Sequence, residues 1–234
     1  MTEKVLTEEG QQCLQALMRV WFDFERSLSR VPLIQKLERD LFTVEDYRKL
    51  LLNIRQQVIE GSRWITRCAS SFDREFSDVR SEVIAHARDE HRDYLLLEED
   101  YVAAGGVLSD IQEADRNPGS EALHGFLMYR ATQPNPIDLI GAMWIIEGLG
   151  QKMATGWSER IESMLKEESN PGSNRQRCTR FMRYHGENDS EHMDKLYSLI
   201  DRVCKTKSDR KAIVRTATVV ARLYSMQLEE VDYE

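Results

Sequence analysis

Tyr184-His185-Gly186-Glu187-Asn188-Asp189-Ser190-Glu191-His192 carries the pattern His-x3-Asp-x2-His at His185, Asp189 and His192. On a helix these three positions are i, i+4 and i+7, one stripe over two turns. Two imidazoles and a carboxylate on one stripe suit a transition metal. The chain has only five histidines, and two stand here. The stretch therefore predicts a helix carrying part of a metal site, and the remaining ligands must come from other segments.

Those segments also read as helices. Leu14, Leu17, Val20 and Phe24 recur at steps of three and four, which predicts an amphipathic helix over roughly residues 6–30. Thr43, with Asp46 three residues on, reads as a cap opening a helix that runs to about Phe72. Asp78 opens a third, which Gly105-Gly106 ends. A short helix is expected from Ser120 to about Ala131, after the turn Asn117-Pro118-Gly119. Asn135 as N-cap and Pro136 at the first position predict a long helix to about Lys166, apolar nearly all round between Ile140 and Leu149 and so central to the core. Ser169-Asn170-Pro171-Gly172-Ser173-Asn174 reads as a loop, followed by helices from about Gln176 to Val203 and from Ser208 to Glu230. No sustained strand alternation and no repeat interrupts the pattern. The expected class is all-α, one domain over residues 1–234 built as a bundle of about seven helices.

Several acids fall where a helix should be apolar. Glu147 sits inside Trp144-Ile145-Ile146-Glu147-Gly148-Leu149-Gly150, and a lone carboxylate there must be paired or metal-bound. A salt bridge to an arginine would serve as well as a metal, and the flanking glycines admit a close neighbour. Glu60 follows Val58-Ile59, a boundary position that a structural role would also explain. His86, Glu90 and Asp93 share a stripe in the third helix, whereas His91 points away and reads as solvated. Four helices thus offer Glu60; His86, Glu90 and Asp93; Glu147; and His185, Asp189 and His192. A carboxylate-rich set with a few histidines, projecting inward from facing helices, is how bundles hold two iron or manganese ions. Structural zinc favours cysteine, and Cys13, Cys68, Cys178 and Cys204 lie outside these stretches.

The order of these residues resembles the heme-oxygenase-like diiron proteins. That superfamily shares its fold with thiaminase-II-like and pyrroloquinoline-quinone-synthase-like proteins. Its dimetal branch carries a glutamate on an early core helix, a Glu-x2-His pair on the next, a glutamate on a long central helix, and His-x3-Asp-x2-His at the end. Glu60, Glu90, Glu147 and His185 fall in that order, at intervals of 30, 57 and 38 residues, similar to those of the group's alkene-forming fatty-acid decarboxylases. The stretch from Leu96 to Gly105 also resembles the segment after the family's second ligand helix, and the likeness covers about residues 45–200. It implies a heme-oxygenase-like helical bundle, two irons or a partly occupied site, O2 as co-substrate and oxidation of a small organic, acyl or amino-acid-derived molecule. Trp144, Met143 and Tyr184 are near enough in sequence to line a pocket or to pack the core. One departure stands out: where the family has histidine three residues after the second glutamate, this chain has Asp93. Asp93 and His86 compete for that place. The alternatives are a thiaminase-II-like protein, or a non-catalytic small-molecule-binding protein with a degenerate site. The thiaminase-like chemistry needs a cysteine in the pocket, and none lies in the Glu147 helix. Heme ligation by a histidine near the N-terminus is not expected, because none precedes His86.

Composition excludes other classes. A net charge of −8 with no basic stripe argues against nucleic acid. No apolar run reaches the ~18–20 residues that cross a bilayer, so no membrane partner is expected. Met1-Thr2-Glu3-Lys4 lacks the layout of a signal peptide, and the four cysteines form no Cys-x-x-Cys pair. A cytoplasmic protein with reduced thiols is expected, and a homodimer, as in many proteins of this fold.

Overall fold

The computed structural model describes residues 6–167 and 178–232. The stretches Met1–Lys4 and Ser169–Asn174, and the expected helix start near Gln176, lie outside them. Twelve α-helices and no strand occur among the described residues. Helix α1 (Glu8–Leu28) begins at Thr7, whose hydroxyl accepts from Gly10 N, with Glu8 and Glu9 in the first turn where the helix dipole favours acids. Its buried stripe is Cys13, Leu17, Trp21, Phe24 and Leu28. Leu14 and Val20 flank that stripe half-buried, so Trp21 and not Val20 faces the core. A short α2 (Pro32–Glu38) follows, with proline at its first position.

The expected second helix is two. α3 (Val44–Val58) opens with the Thr43–Asp46 capping box, and α4 (Gly61–Ser70) begins after a break at Ile59 and Glu60. The expected third helix is also divided. α5 (Ser77–Asp89) ends in a 3₁₀ turn over Glu90–Arg92, and α6 (Tyr94–Ala103) resumes beyond it. Gly105 then takes a φ of 88°, and Gly106 N donates to Tyr101 O at 2.9 Å, the glycine stop expected there. α7 (Leu108–Glu113) precedes α8 (Pro118–Ala131), which Asn117 caps by accepting from Ser120 N.

The central course starts later than the Asn135-Pro136 signal suggests. Asn135 has a φ of 45° and exchanges hydrogen bonds with Asp73, so it pins two loops together instead of capping. α9 (Leu139–Leu149) follows, then a π-helical turn over Gly150–Ala154, then α10 (Thr155–Glu167). α11 (Arg180–Val203) carries the His-x3-Asp-x2-His stripe, and α12 (Lys207–Glu229) opens on a Thr206–Asp209 capping box.

α9 is buried on every side except at Ile146 and packs against α8, α11 and α12. Trp144 is fully enclosed and meets Trp21 edge-to-face at 6.3 Å. Burying one such large side chain is worth roughly 1.5–3 kcal/mol, and here it fixes the helix that bears Glu147. α1 lies along α12, and α3 along α6, which closes the bundle around α9. No described helix is long and apolar enough to cross a membrane.

Candidate metal centre

Residues from α5, the turn after it, α9 and α11 converge beside the core. Glu147 is buried within α9, and its Oε2 accepts from His192 Nδ1 at 2.9 Å. Its Oε1 lies 3.3 Å from His86 Nε2. The His86 and His192 rings meet edge-on, 5.1 Å apart. Glu90 Oε1 stands 3.6 Å from His192 Nδ1. His86, Glu90, Glu147 and His192 thus form a group whose ligand atoms lie within 4.8 Å of one another. A second group, within the same limit, is Glu90, Asp93 and His185. Asp93 Oδ2 is 3.5 Å from His185 Nε2. Glu90 belongs to both groups.

The break in the third helix explains this division. On one straight helix His86, Glu90 and Asp93 would share a stripe and serve one side. The 3₁₀ turn at Glu90–Arg92 winds more tightly, which leaves His86 with Glu147 and His192 and carries Asp93 to His185. His86 and Asp93 therefore stand in different candidate groups.

Asp189 lies outside both groups and plays a different part. Its Oδ1 accepts from His185 Nδ1 at 3.0 Å, which leaves His185 Nε2 facing Asp93. A carboxylate behind an imidazole in this way fixes the ring and its tautomer. Two glycines make the approach possible. A methyl added at Gly150, the first residue of the π turn, would overlap Asp189 Oδ2, and one at Gly186 would overlap Thr155 Oγ1. A π turn beside a cluster of polar side chains is a common companion of functional sites.

Glu60 is not brought to the cluster. It is buried in a network with Arg63, three residues on, and Arg116, at 2.9 Å from each. The helix break places it at the start of α4, and two guanidiniums satisfy its charge. Trp144 packs in the core against Trp21. Met143 lines a small cavity behind His86 and His192, and Tyr184 is partly exposed at the edge of the His185 ring. His91 is exposed, near Ser62.

The cluster is electrostatically tense without cations. Burial would lower the His86 pKa, but Glu147, with Glu90 and Asp189, raises it to about 9. His185 is likewise lowered by burial and lifted to about 9, chiefly by Asp189. Burial and the neighbouring Glu147 charge push Glu90 up to about 8. Asp93 and Asp189 are raised, first by burial. Glu147, despite its burial, is held low by His86 and His192.

Three buried atoms, Glu90 Oε1, Asp93 Oδ2 and His185 Nε2, have no hydrogen-bond partner among the described residues. Buried polar atoms are nearly always partnered, and these three point into one group. The two groups hold three carboxylates and three imidazoles, and the buried Asp189 behind His185 brings a fourth negative charge, which matches the charge of two divalent ions and the oxygen–nitrogen preference of iron or manganese. The residues present fit such a group.

A cavity of about 80 Å³ adjoins the cluster, bounded by Glu90, Glu147, His185 and Asp189 on one part of its wall. Ile54, Val58, Leu149, Trp157 and Phe181 are among the apolar residues of the rest. No cysteine lines it, and all four are buried elsewhere.

Two contributors were not visible as functional residues in the sequence. Gln57 on α3 lines the cavity; the signal was its place on one stripe with Ile54, one turn before Glu60. Asp100 is wholly buried on α6 and accepts from Arg180 N and Phe181 N at 3.0 and 2.9 Å. Thr179 provides no side-chain cap for α11, so Asp100 caps from another helix the element that bears the histidine motif. Asp100→Ala is expected to cost about 0.5–2 kcal/mol in urea unfolding. An unchanged unfolding midpoint would show that the cap is dispensable.

No protein-family model and no curated protein sequence matches the chain. Solved structures do. A domain of unknown function with a heme oxygenase-like fold from Shewanella denitrificans OS217 superposes with a TM-score of 0.79 at 17% identity, covering 92% of this chain and 89% of that one. A TenA homolog from Pseudomonas syringae pv. tomato DC3000 gives 0.75 at 14% identity, covering 98% and 94%. A TenA homologue from P. horikoshii OT3 gives 0.67 at 14%, covering 97% and 98%. With near-complete coverage of each chain and the same all-helical architecture, this protein has the heme oxygenase-like fold.

Proposed function

We propose that this chain is an O2-dependent, non-heme dimetal oxidase or oxygenase acting on a small organic substrate. The observation that carries the reading is the pair of ligand groups joined by Glu90, with three unpartnered buried ligand atoms, opening on an apolar cavity. His86, Glu147 and His192 would hold one ion, Asp93 and His185 the other, and Glu90 would serve both. Bound there, iron supplies the electrons that activate O2 (manganese would suit the same donors). Asp189 keeps His185 Nε2 turned to its ion. Glu147 keeps a negative charge at neutral pH and orients His86 and His192. The apolar wall excludes water and packs the substrate beside the cluster.

Anaerobic iron loading tests this reading. About two irons per chain and an absorption change when O2 meets the reduced protein would support it. No iron uptake, with His185→Ala behaving as wild type, would overturn it.

A metal-independent, thiaminase-like function draws support from the likeness to the two TenA homologues. That chemistry calls for a thiol at the pocket, and Cys13, Cys68, Cys178 and Cys204 are all buried away from it.

The pKa shifts give a further expectation. Ions bind neutral imidazole and ionised carboxylate, so they must displace protons from His86, His185 and Glu90. Apparent metal affinity should rise steeply from pH 6 to about 9, through the values near 8 and 9 for these groups. The metal-free protein should move the opposite way. His86 and His185 are raised above the unfolded value, so their contribution is full below pH ~6.5 and is lost as pH rises through about 9. Glu90, also raised, holds its proton in the folded state up to about 8 while the unfolded chain loses it near 4.5, so its contribution falls across that lower window and overlaps the histidines only up to about 8. Calorimetric metal titration in buffers of differing ionisation enthalpy counts the released protons. A pH-independent affinity would rule this account out.

A further inference from the structure

The cavity beside the cluster is apolar over most of its wall, yet one polar side chain outside the cluster, that of Gln57, is part of it. Gln57 lines the cavity from α3, and its Oε1 is buried with no hydrogen-bond partner among the described residues. Tyr224, on α12, lines the same cavity, and the Gln57 side chain acts on its hydroxyl. The Tyr224 ring is itself buried and packed edge-to-face on Phe24 at 6.1 Å, which fixes the wall beside Gln57. Neither α3 nor α12 contributes a ligand to the cluster. An unpaired buried carbonyl costs stability.

The lining residues include no lysine and no arginine. The four carboxylates of the cluster are balanced by two divalent ions once loaded, so a substrate charge lodged near Gln57 would find no countercharge and would pay the full cost of burial. A neutral hydroxyl or amide would instead satisfy the carboxamide. About 80 Å³ is room for roughly six waters at ~10–15 Å³ each, and so for a ring-sized body.

We propose that Gln57, braced by Tyr224, is the specificity-determining contact of this cavity, and that the substrate is a compact molecule with an apolar body and one uncharged hydrogen-bonding group. This rests on the reading of the cavity as the substrate pocket of the dimetal site. Gln57 belongs to neither candidate ligand group, so it selects without taking part in the oxidation.

Four probes of near-equal size test it: benzyl alcohol, toluene, benzoate and benzylammonium, titrated by ligand-observed NMR into the full chain loaded with Mn(II). Manganese relaxes the protons of a probe bound beside it, which separates the cavity from the outer surface. Benzyl alcohol is expected to bind tightest. Gln57→Leu should weaken benzyl alcohol by about five- to tenfold, the worth of one neutral hydrogen bond, and leave toluene unchanged. Tyr224→Phe, which removes only the brace, should weaken it less. The proposal is overturned if toluene matches benzyl alcohol in the wild type, if either charged probe binds tighter, if no probe is relaxed in manganese-loaded protein, or if the preference survives in both variants. Should the chain take up no manganese, the dimetal reading fails by itself, and the probe ranking on the metal-free chain still decides the role of Gln57.

Discussion

Glu90→Ala is expected to abolish uptake of both metal ions. Glu90 is the one residue common to the two ligand groups. Its removal leaves His86, Glu147 and His192 on one side, and only Asp93 and His185 on the other. Each remaining set also loses the charge that a carboxylate contributes, so repulsion between the two cations rises as their binding weakens. His86→Ala and Asp93→Ala should behave differently. Each removes a ligand from a single group, so each should leave about one ion per chain where the wild type holds about two. Folding should not confound the comparison. In the metal-free protein Glu90 is raised to about 8 and is protonated at neutral pH. Its truncation therefore removes only the long contact to His192 at 3.6 Å, and the apo melting temperature should fall only modestly. Anaerobic iron titration followed by elemental analysis reads the stoichiometry. Near-full loading of Glu90→Ala, or equal loss in all three variants, would contradict a shared ligand.

Gly150→Ala should damage the site from behind. The added methyl would overlap Asp189 Oδ2 and press on His185 Cβ at 3.3 Å. The π turn that presents Gly150 is packed against α11, so Asp189 must swing away from His185 Nδ1 or the helices must part. Overpacking of this kind costs about 1–3 kcal/mol. Loss of the carboxylate behind a ligating imidazole weakens metal binding about 10–100-fold. Gly156 supplies the control, because a methyl there meets nothing within 4 Å. In α10 the change Gly156→Ala should stabilise by about 0.4–1 kcal/mol and leave the metal untouched. If Gly150→Ala unfolds and binds metal as Gly156→Ala does, the close approach of α9 and α11 has no functional weight.

Much of this was legible in the residues. The i, i+4, i+7 pattern of His185, Asp189 and His192 lies on one face of α11, and all three are buried. Glu147 inside an apolar helix met two imidazoles and no arginine. Both depend only on periodicity within one helix, which sequence states directly. What failed depends on where helices break. Hydrophobic period alone puts Glu60 and the stripe through Asp93 on continuous helices. The chain breaks at Ile59–Glu60 and tightens at Glu90–Arg92, and neither place carries a glycine or proline before the break to announce it. One break turned Glu60 toward Arg63 and Arg116, and the other sent Asp93 to a different partner from His86. Asn135 misled in a similar way, since its left-handed backbone and its bonds to Asp73 hold a loop where a cap was expected.

By itself, then, the sequence determined an all-helical chain, the central place of α9 and a histidine-carboxylate stripe on α11, because hydrophobic period and residue chemistry are local properties. Only the tertiary structure decided that Glu90 stands between two candidate ligand groups, that Asp189 backs His185, that Asp100 caps α11 from another helix and that Gln57 lines the cavity. Each of these is a meeting of side chains from different helices. The first two depend on Gly150 and Gly186, which let α11 come close to the course of α9 and α10, and on the tight turn at Glu90. Neither is readable from the period of any single helix.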